Sequence, residues 1–282
     1  MSWEDALERF LEDWKHREDV VGILVCGSYI TGGASKRSDI DVHIILHDDC
    51  NWRERGNQYV DGFLIEYFVN PPKQIRSYFK EDFRRRRTMS MVQFMTGRII
   101  QDRYGIVKAL IEEARIWKEK PYEALAASMV ELKKYELWDA LDNLLDCYEE
   151  RRKDFDLVYD HSLLQLYRVY CSILGVEEVP YYQLSQYFTD PQYLKKYMKA
   201  PFPDPDFGDL FIQAMQIHGQ EEKVKIYQKL TEHVFNKCGG FEIDGWKLRS
   251  ELVNTLLEDC FGLACLSLKS GANKRENSRK PG

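Results

Sequence analysis

The run Val21-Gly22-Ile23-Leu24-Val25-Cys26-Gly27-Ser28 is followed, after ten intervening residues, by Asp39-Ile40-Asp41-Val42. Val21 to Cys26 has the length and β-branched content of a buried strand, with Gly27-Ser28 as its turn. A glycine there lets backbone approach a phosphate unobstructed, and the exposed amides with the Ser28 hydroxyl could hold phosphate oxygens. A second strand starts at Asp39. Its carboxylates at i and i+2 point to one face and can grip the same divalent ions, as phosphoryl chemistry requires. The linking stretch Thr31-Gly32-Gly33-Ala34-Ser35-Lys36-Arg37-Ser38 is glycine-rich and basic, suited to a turn or short helix beside a polyanion. Its Ser38-Asp39 junction leads directly into the two carboxylates.

A third acidic group completes a two-metal cage, and Gly62-Phe63-Leu64-Ile65-Glu66-Tyr67-Phe68-Val69 offers one. Glu66 interrupts an otherwise apolar strand, where an ionised side chain is costly unless a cation or hydrogen bonds compensate. Metal ligation or a general-base role is the sharper reading. The alternative is that Glu66 faces an exposed side of the sheet and merely alternates with Ile65 and Tyr67.

Gly27-Ser28, Asp39, Asp41 and Glu66 together resemble the nucleotidyltransferase superfamily that includes DNA polymerase beta. The likeness is to its small-molecule branch, in which aminoglycoside nucleotidyltransferases share the order of catalytic domain followed by helical domain. The motif covers residues 21–69, and a weaker likeness lies in Gly97-Arg98-Ile99-Ile100-Gln101-Asp102-Arg103-Tyr104-Gly105. The resemblance implies that Gly27 and Ser28, with Ser38 beside them, contact nucleotide phosphates, and that Asp39 and Asp41 bind magnesium. Glu66 matches the third carboxylate by position. In some relatives that group also takes the proton of the acceptor hydroxyl, whereas in others a glutamate of the helical domain does so.

The 282 residues suffice for two ordinary domains, and 44% hydrophobic content can build their cores. A formal charge of -6 and a pI near 5.7 argue against a nucleic-acid groove and favour a small or cationic acceptor. The seven cysteines, at 26, 50, 147, 171, 238, 260 and 265, include no CxxC pair and read as reduced and mostly buried. No signal peptide and no apolar stretch of membrane-spanning length is evident, so a cytoplasmic location without membrane contact is expected.

The first helix carries a capping pattern, Ser2-x-x-Asp5, and an apolar stripe of Ala6, Leu7, Phe10, Leu11 and Trp14. Strands are expected near 21–27, 39–46, 59–69 and 98–101, and helices near 72–82, 88–96 and 105–118. Lys118-Glu119-Lys120-Pro121 marks a boundary, with proline in the first turn of a new helix. Beyond it, Leu125, Met129, Leu132, Trp138, Leu141, Leu145 and Tyr148 describe one long amphipathic helix, and Leu157, His161, Leu164, Tyr167, Cys171 and Leu174 another. After the loop at Pro201, Pro203 and Pro205, helices are expected at 208–218, 220–237 and 245–267. The expected fold class is α+β: a nucleotidyltransferase domain over 1–120 with a small mixed sheet and flanking helices, an all-helical bundle domain over 121–268 that binds substrate, and a disordered tail over 269–282.

Four further features have two readings each. Asp139, Asp142, Asp146 and Glu149 form an acidic stripe at spacings of three, four and three, either a seat for a cationic acceptor or a solvated face. Arg84-Arg85-Arg86-Arg87 either clamps triphosphate or balances nearby Glu81 and Asp82. His43, on the face of Asp41, reads as structural rather than catalytic, and His161 as a core residue. The tyrosines from 159 to 197 are either a ligand wall or inter-helix packing. The leading expectation is a magnesium-dependent enzyme that uses ATP or another nucleoside triphosphate to place a nucleoside monophosphate, AMP foremost, on a small-molecule hydroxyl, with an aminoglycoside-like antibiotic as the candidate acceptor. A protein-modifying relative of antitoxin type and a non-catalytic regulatory relative are the alternatives.

Overall fold

Ser2 and Asp5 cap the first helix, α1 (Trp3–Lys15), reciprocally: the Asp5 N–H donates to Ser2 Oγ at 3.3 Å and the Ser2 N–H to Asp5 Oδ2 at 2.8 Å. In the computed structural model, which describes residues 2–249, the stripe from Ala6 to Trp14 is buried against a sheet. There follow β1 (Val20–Cys26), a single helical turn α2 (Ser28–Thr31), β2 (Ile40–Leu46), β3 (Glu54–Val60) and β4 (Phe63–Asn70). Next come α3 (Pro72–Arg84), α4 (Met89–Thr96), β5 (Arg98–Asp102) and α5 (Ile106–Glu119).

These strands make one five-stranded mixed sheet in the order β3-β4-β2-β1-β5. β2 and β4 run parallel, and every other neighbouring pair is antiparallel. One face packs Ile23, Val25, Val42, Ile44 and Ile65 on α1; the other packs Leu24, Cys26 and Ile45 on α3, α4 and α5. Burial on both faces explains why β1 reads as a continuous apolar run rather than an alternating one, while β2 is apolar except for Asp41 and His43, which face the site.

The strand expected over 59–69 is instead a hairpin of β3 and β4. Asp61 and Gly62 turn it at φ 51° and 85°, the paired left-handed conformations that an Asp-Gly dipeptide favours because they match strand twist. The helix expected from Pro121 begins at Ala127. Residues 121–126 are irregular, because Tyr122 stacks on Phe83 at 5.0 Å and lies against Arg86, which draws the chain across the end of α3.

The helical part holds α6 (Ala127–Glu149) and α7 (Phe155–Leu174), then a 3-10 turn at Tyr181–Gln183 and the short α8 (Leu184–Thr189) and α9 (Pro191–Lys196). It closes with α10 (Pro205–Gln216) and α11 (Gln220–Lys237). The innermost row of α6 is Leu137, Ala140, Leu144 and Cys147, while the expected Leu141, Leu145 and Tyr148 lie beside it, partly buried. On α7, Leu157 and His161 are exposed and Tyr159, Leu163, Leu166 and Tyr170 are buried, so His161 is not a core residue. Apolar residues at spacings of three and four fill two adjacent rows on each helix, and the packing partner selects between them. The helix expected over 245–267 is irregular through 249. The rest of it, with Cys260, Cys265 and the expected tail over 269–282, lies outside the described residues.

Residues up to Trp246 form one compact unit; of the unit that follows, only 247–249 are described. Among the described residues no helix is long and apolar enough to cross a membrane, and the cysteines are free.

Asp204 ties the helical core together. It accepts hydrogen bonds from the Phe207 N–H at 3.2 Å and the Tyr170 hydroxyl at 2.6 Å, and pairs with His233 Nε2 at 2.8 Å. Replacing it by alanine removes a helix cap and leaves a buried hydroxyl without its acceptor. Asp204→Ala is expected to cost about 2–4 kcal/mol in urea unfolding, and Asp204→Asn clearly less.

Candidate active site and its two clefts

The parallel register of β2 and β4 sets Asp41 directly beside Glu66, and Asp39 joins them from the loop end just before β2. Each carboxylate offers one ligand atom, and these atoms lie within 4.8 Å of one another. Three negative charges so close repel strongly at a half-buried site. Burial first, then Asp39 and Glu66, push the Asp41 carboxyl up to about 7 against the opposing pull of Arg55. The set fits a divalent cation with oxygen ligands, whose charge would remove that repulsion.

Gly27 is shaped by the same crowding. It stands at φ 81°, and a Cβ on it would lie 2.1 Å from Asp41 Oδ2, so glycine alone lets turn and carboxylate coexist. Its carbonyl accepts from the Thr31 N–H at 3.0 Å and the Thr31 hydroxyl at 3.1 Å, which fixes the turn leading into α2.

Arg55 is a site residue that sequence reading passed over. Its Nε and Nη2 donate to Glu66 Oε1 at 3.0 and 2.5 Å, and its guanidinium lies 4.9 Å from the centre of the Phe68 ring. It sits on β3, the strand that the single-strand reading of 59–69 omits. Beneath the carboxylates His43 stacks on Phe68 at 5.1 Å and tilts against Phe94 at 4.9 Å. Burial pulls its pKa down to about 4, against the opposing effect of Gln93, so it is neutral at pH 7 and serves as an aromatic floor.

Asp39 and Asp41 stand between two clefts of about 720 and 700 Å³. The first, on the Glu66 side, is lined only by residues 39–94, among them Arg53, Glu54, Tyr78, Glu81 and Asp82. The second lies on the Gly27 side. It takes in Ser28, Arg37, Ser38 and Arg87 from the first half of the chain, and Glu177, Lys196 and Lys199 from the second. Ser38 Oγ accepts from the Ser35 N–H at 2.8 Å, which closes the basic loop on itself.

Of the arginine run, Arg84 and Arg85 pair with Glu81, Arg86 donates to the Glu123 carbonyl, and Arg87 faces the second cleft. The acidic stripe of α6 is exposed and lines neither cleft. Glu177 and Lys199 instead meet Thr88, whose hydroxyl donates to Glu177 Oε1 at 2.5 Å and accepts from Lys199 Nζ at 3.0 Å. Burial lowers the pKa of Lys199, and its ion pair with Glu177 works against that fall. No motif marks these residues, which lie well over a hundred positions from the glycine turn.

Residues 7–99 match the family model described as the nucleotidyltransferase domain. The chain carries a nucleotidyltransferase domain. Such a domain implies a nucleoside triphosphate substrate. No curated protein matches the sequence. A nucleotidyltransferase-like protein from Exiguobacterium sibiricum 255-15 is similar to the chain at 12% identity and a TM-score of 0.44, with 84% of this chain and 75% of that one covered.

Two expectations follow for this nucleotidyltransferase domain. Free of metal, the folded protein keeps a proton on Asp41 that the unfolded chain releases, so this contribution is present near pH 4 and lost as pH rises through about 7. Asp41→Asn should therefore melt with the parent near pH 4 and a few degrees above it at pH 8. Added Mg²⁺ or Mn²⁺ at pH 8 should raise the melting temperature of the parent alone; identical melting of both proteins at pH 8 would contradict the crowding. Gly27→Ala should lose stability by about 1–3 kcal/mol and lose most of the ion-dependent gain, read in the same melts.

Proposed function

We propose that the protein is a magnesium-dependent enzyme that transfers a nucleoside monophosphate, AMP from ATP in the first instance, to a hydroxyl of a small molecule. The observation that carries this reading is the convergence of Asp39, Asp41 and Glu66 between two clefts, beside a glycine turn that no larger residue could form. Residues 1–120 are the catalytic domain on this reading, and 121–268 are a helical domain that completes the substrate site. Among the described residues the strands are confined to the first part and the second has a hydrophobic core of its own, which supports that division.

Asp39, Asp41 and Glu66 would hold the ion, which when bound neutralises triphosphate charge and lowers the barrier for the attacking hydroxyl. The second cleft takes the nucleotide. Gly27 and Ser28 meet the phosphates, Ser38 holds the adjoining loop, and Arg37, Arg87 and Lys196 supply positive charge. The first cleft takes the acceptor. Its oxygen attacks the α-phosphorus in line, and pyrophosphate leaves toward the second cleft. Glu66, held by Arg55, lies on the acceptor side and is the base of this scheme; Glu177 and Glu178 line the second of the two clefts and not the first.

Glu54 and Asp82 join the triad against Arg53 and Arg55 in the first cleft, Glu81 there being paired with Arg84 and Arg85, and this excess of carboxylates supports a cationic acceptor such as an aminoglycoside-like antibiotic. Free cysteines are in keeping with a cytoplasmic enzyme. Incubation with Mg²⁺, ATP and a panel of aminoglycosides should release pyrophosphate and add the mass of AMP to one compound. ATP binding with no mass gained by any acceptor would remove the main support for this reading. Asp39→Asn should keep the fold and lower turnover by about 10³-fold or more.

A further inference from the structure

Four cations line the second cleft, and they fall into two kinds. Lys199 is paired with Glu177, and Arg87 lies 3.9 Å from Glu178. Among the described residues, Lys196 and Arg37 have no carboxylate partner. The Lys196 ammonium instead donates to the Gly32 carbonyl at 2.6 Å, across 164 residues of sequence, and lies over the Tyr197 ring at 5.2 Å. Arg37 is exposed at the end of the same glycine-rich loop.

A neutral carbonyl is a weaker partner for an ammonium than an anionic oxygen, since charge-assisted hydrogen bonds are about twice as strong as neutral ones. The surroundings leave room for such an anion. Gly32 and Gly33 stand at φ 86° and 81°, and a Cβ at Gly32 would meet nothing within 4 Å. The loop that Lys196 touches is also the one that runs from the Gly27 turn to Asp39, and Lys196, Arg37, Gly27, Asp39 and Asp41 line the same cleft.

We infer that Lys196, together with Arg37, reads the terminal phosphates of the nucleotide, the ammonium leaving the Gly32 carbonyl for phosphate oxygens when a triphosphate enters. This rests on the assignment of the second cleft to the nucleotide. The end of α9 thereby acquires a role in selectivity, since the helical part of the chain distinguishes nucleoside triphosphate from monophosphate through one side chain. The competing view is that the Lys196–Gly32 bond only pins α9 to the loop. The two views differ in what they predict for ligands that lack the terminal phosphates.

Isothermal titration of ATP and AMP in Mg²⁺ separates them, with the intact chain and its variants. Lys196→Ala should weaken ATP about tenfold and AMP less than twofold, and Lys196→Arg should restore most of the ATP affinity. Arg37→Ala should show the same selectivity, and the double variant a larger loss for ATP than either single variant, not a simple product of the two because both cations share the phosphates. Lys195→Ala removes an equal charge from an exposed neighbour that lines neither cleft and should leave both ligands unchanged. Equal losses for ATP and AMP in Lys196→Ala, or no loss for ATP, would overturn the inference while leaving the nucleotide reading intact. Failure of the parent protein to bind either nucleotide would overturn that reading and the inference with it.

Discussion

The parallel pairing of β2 with β4 places Asp41 beside Glu66, and much of the molecule is arranged around the repulsion this creates. Carboxylates forced together at a half-buried position are tolerated only if the scaffold is rigid enough to hold them. Here β1 and β2 are buried on both faces, between α1 and the layer of α3, α4 and α5. Arg55 offsets part of the charge at Glu66 and leaves Asp41 with a strongly raised pKa. The same crowding dictates glycine at position 27, because a methyl group there would occupy the space of Asp41 Oδ2.

The helical part contributes to one side of this centre only. Its aromatic core, with Tyr167, Tyr170, Phe207 and Phe211 fully buried, supports the short helices α8 and α9. Polar side chains reach the first half of the chain at two places: Glu177 and Lys199, from the segments on either side of these helices, meet Thr88 at the start of α4, and Lys196 at the end of α9 meets Gly32. The two clefts therefore differ in origin as well as in charge. One is built by the sheet and its helices alone, and the other is shared.

Much of the first half was legible because its signals are local. The capping pair Ser2 and Asp5, the apolar run of β1, the two aspartates at i and i+2 at the start of β2, and the glycine before Ser28 each express a constraint that acts within a few residues. β3 was not legible. It is an edge strand, exposed along most of its length, so it carries no apolar pattern, and with it Arg55 went unseen. α6 starts at Ala127 rather than at Pro121 because Tyr122 finds a ring to stack on, a long-range contact that overrides the helix-initiating tendency of Pro121.

By itself, then, the chain determined an α+β fold with a mixed sheet followed by helices, and named three carboxylates and a glycine turn, because burial, strand alternation and backbone freedom leave marks at fixed short spacings. Which row of α6 and α7 lies innermost, that Arg55 pairs with Glu66, that the acidic stripe of α6 lines neither cleft, and that Lys196 reaches Gly32 were decided only in three dimensions. Those outcomes depend on strand register and on which surfaces find each other across more than a hundred residues. No local pattern encodes such a choice.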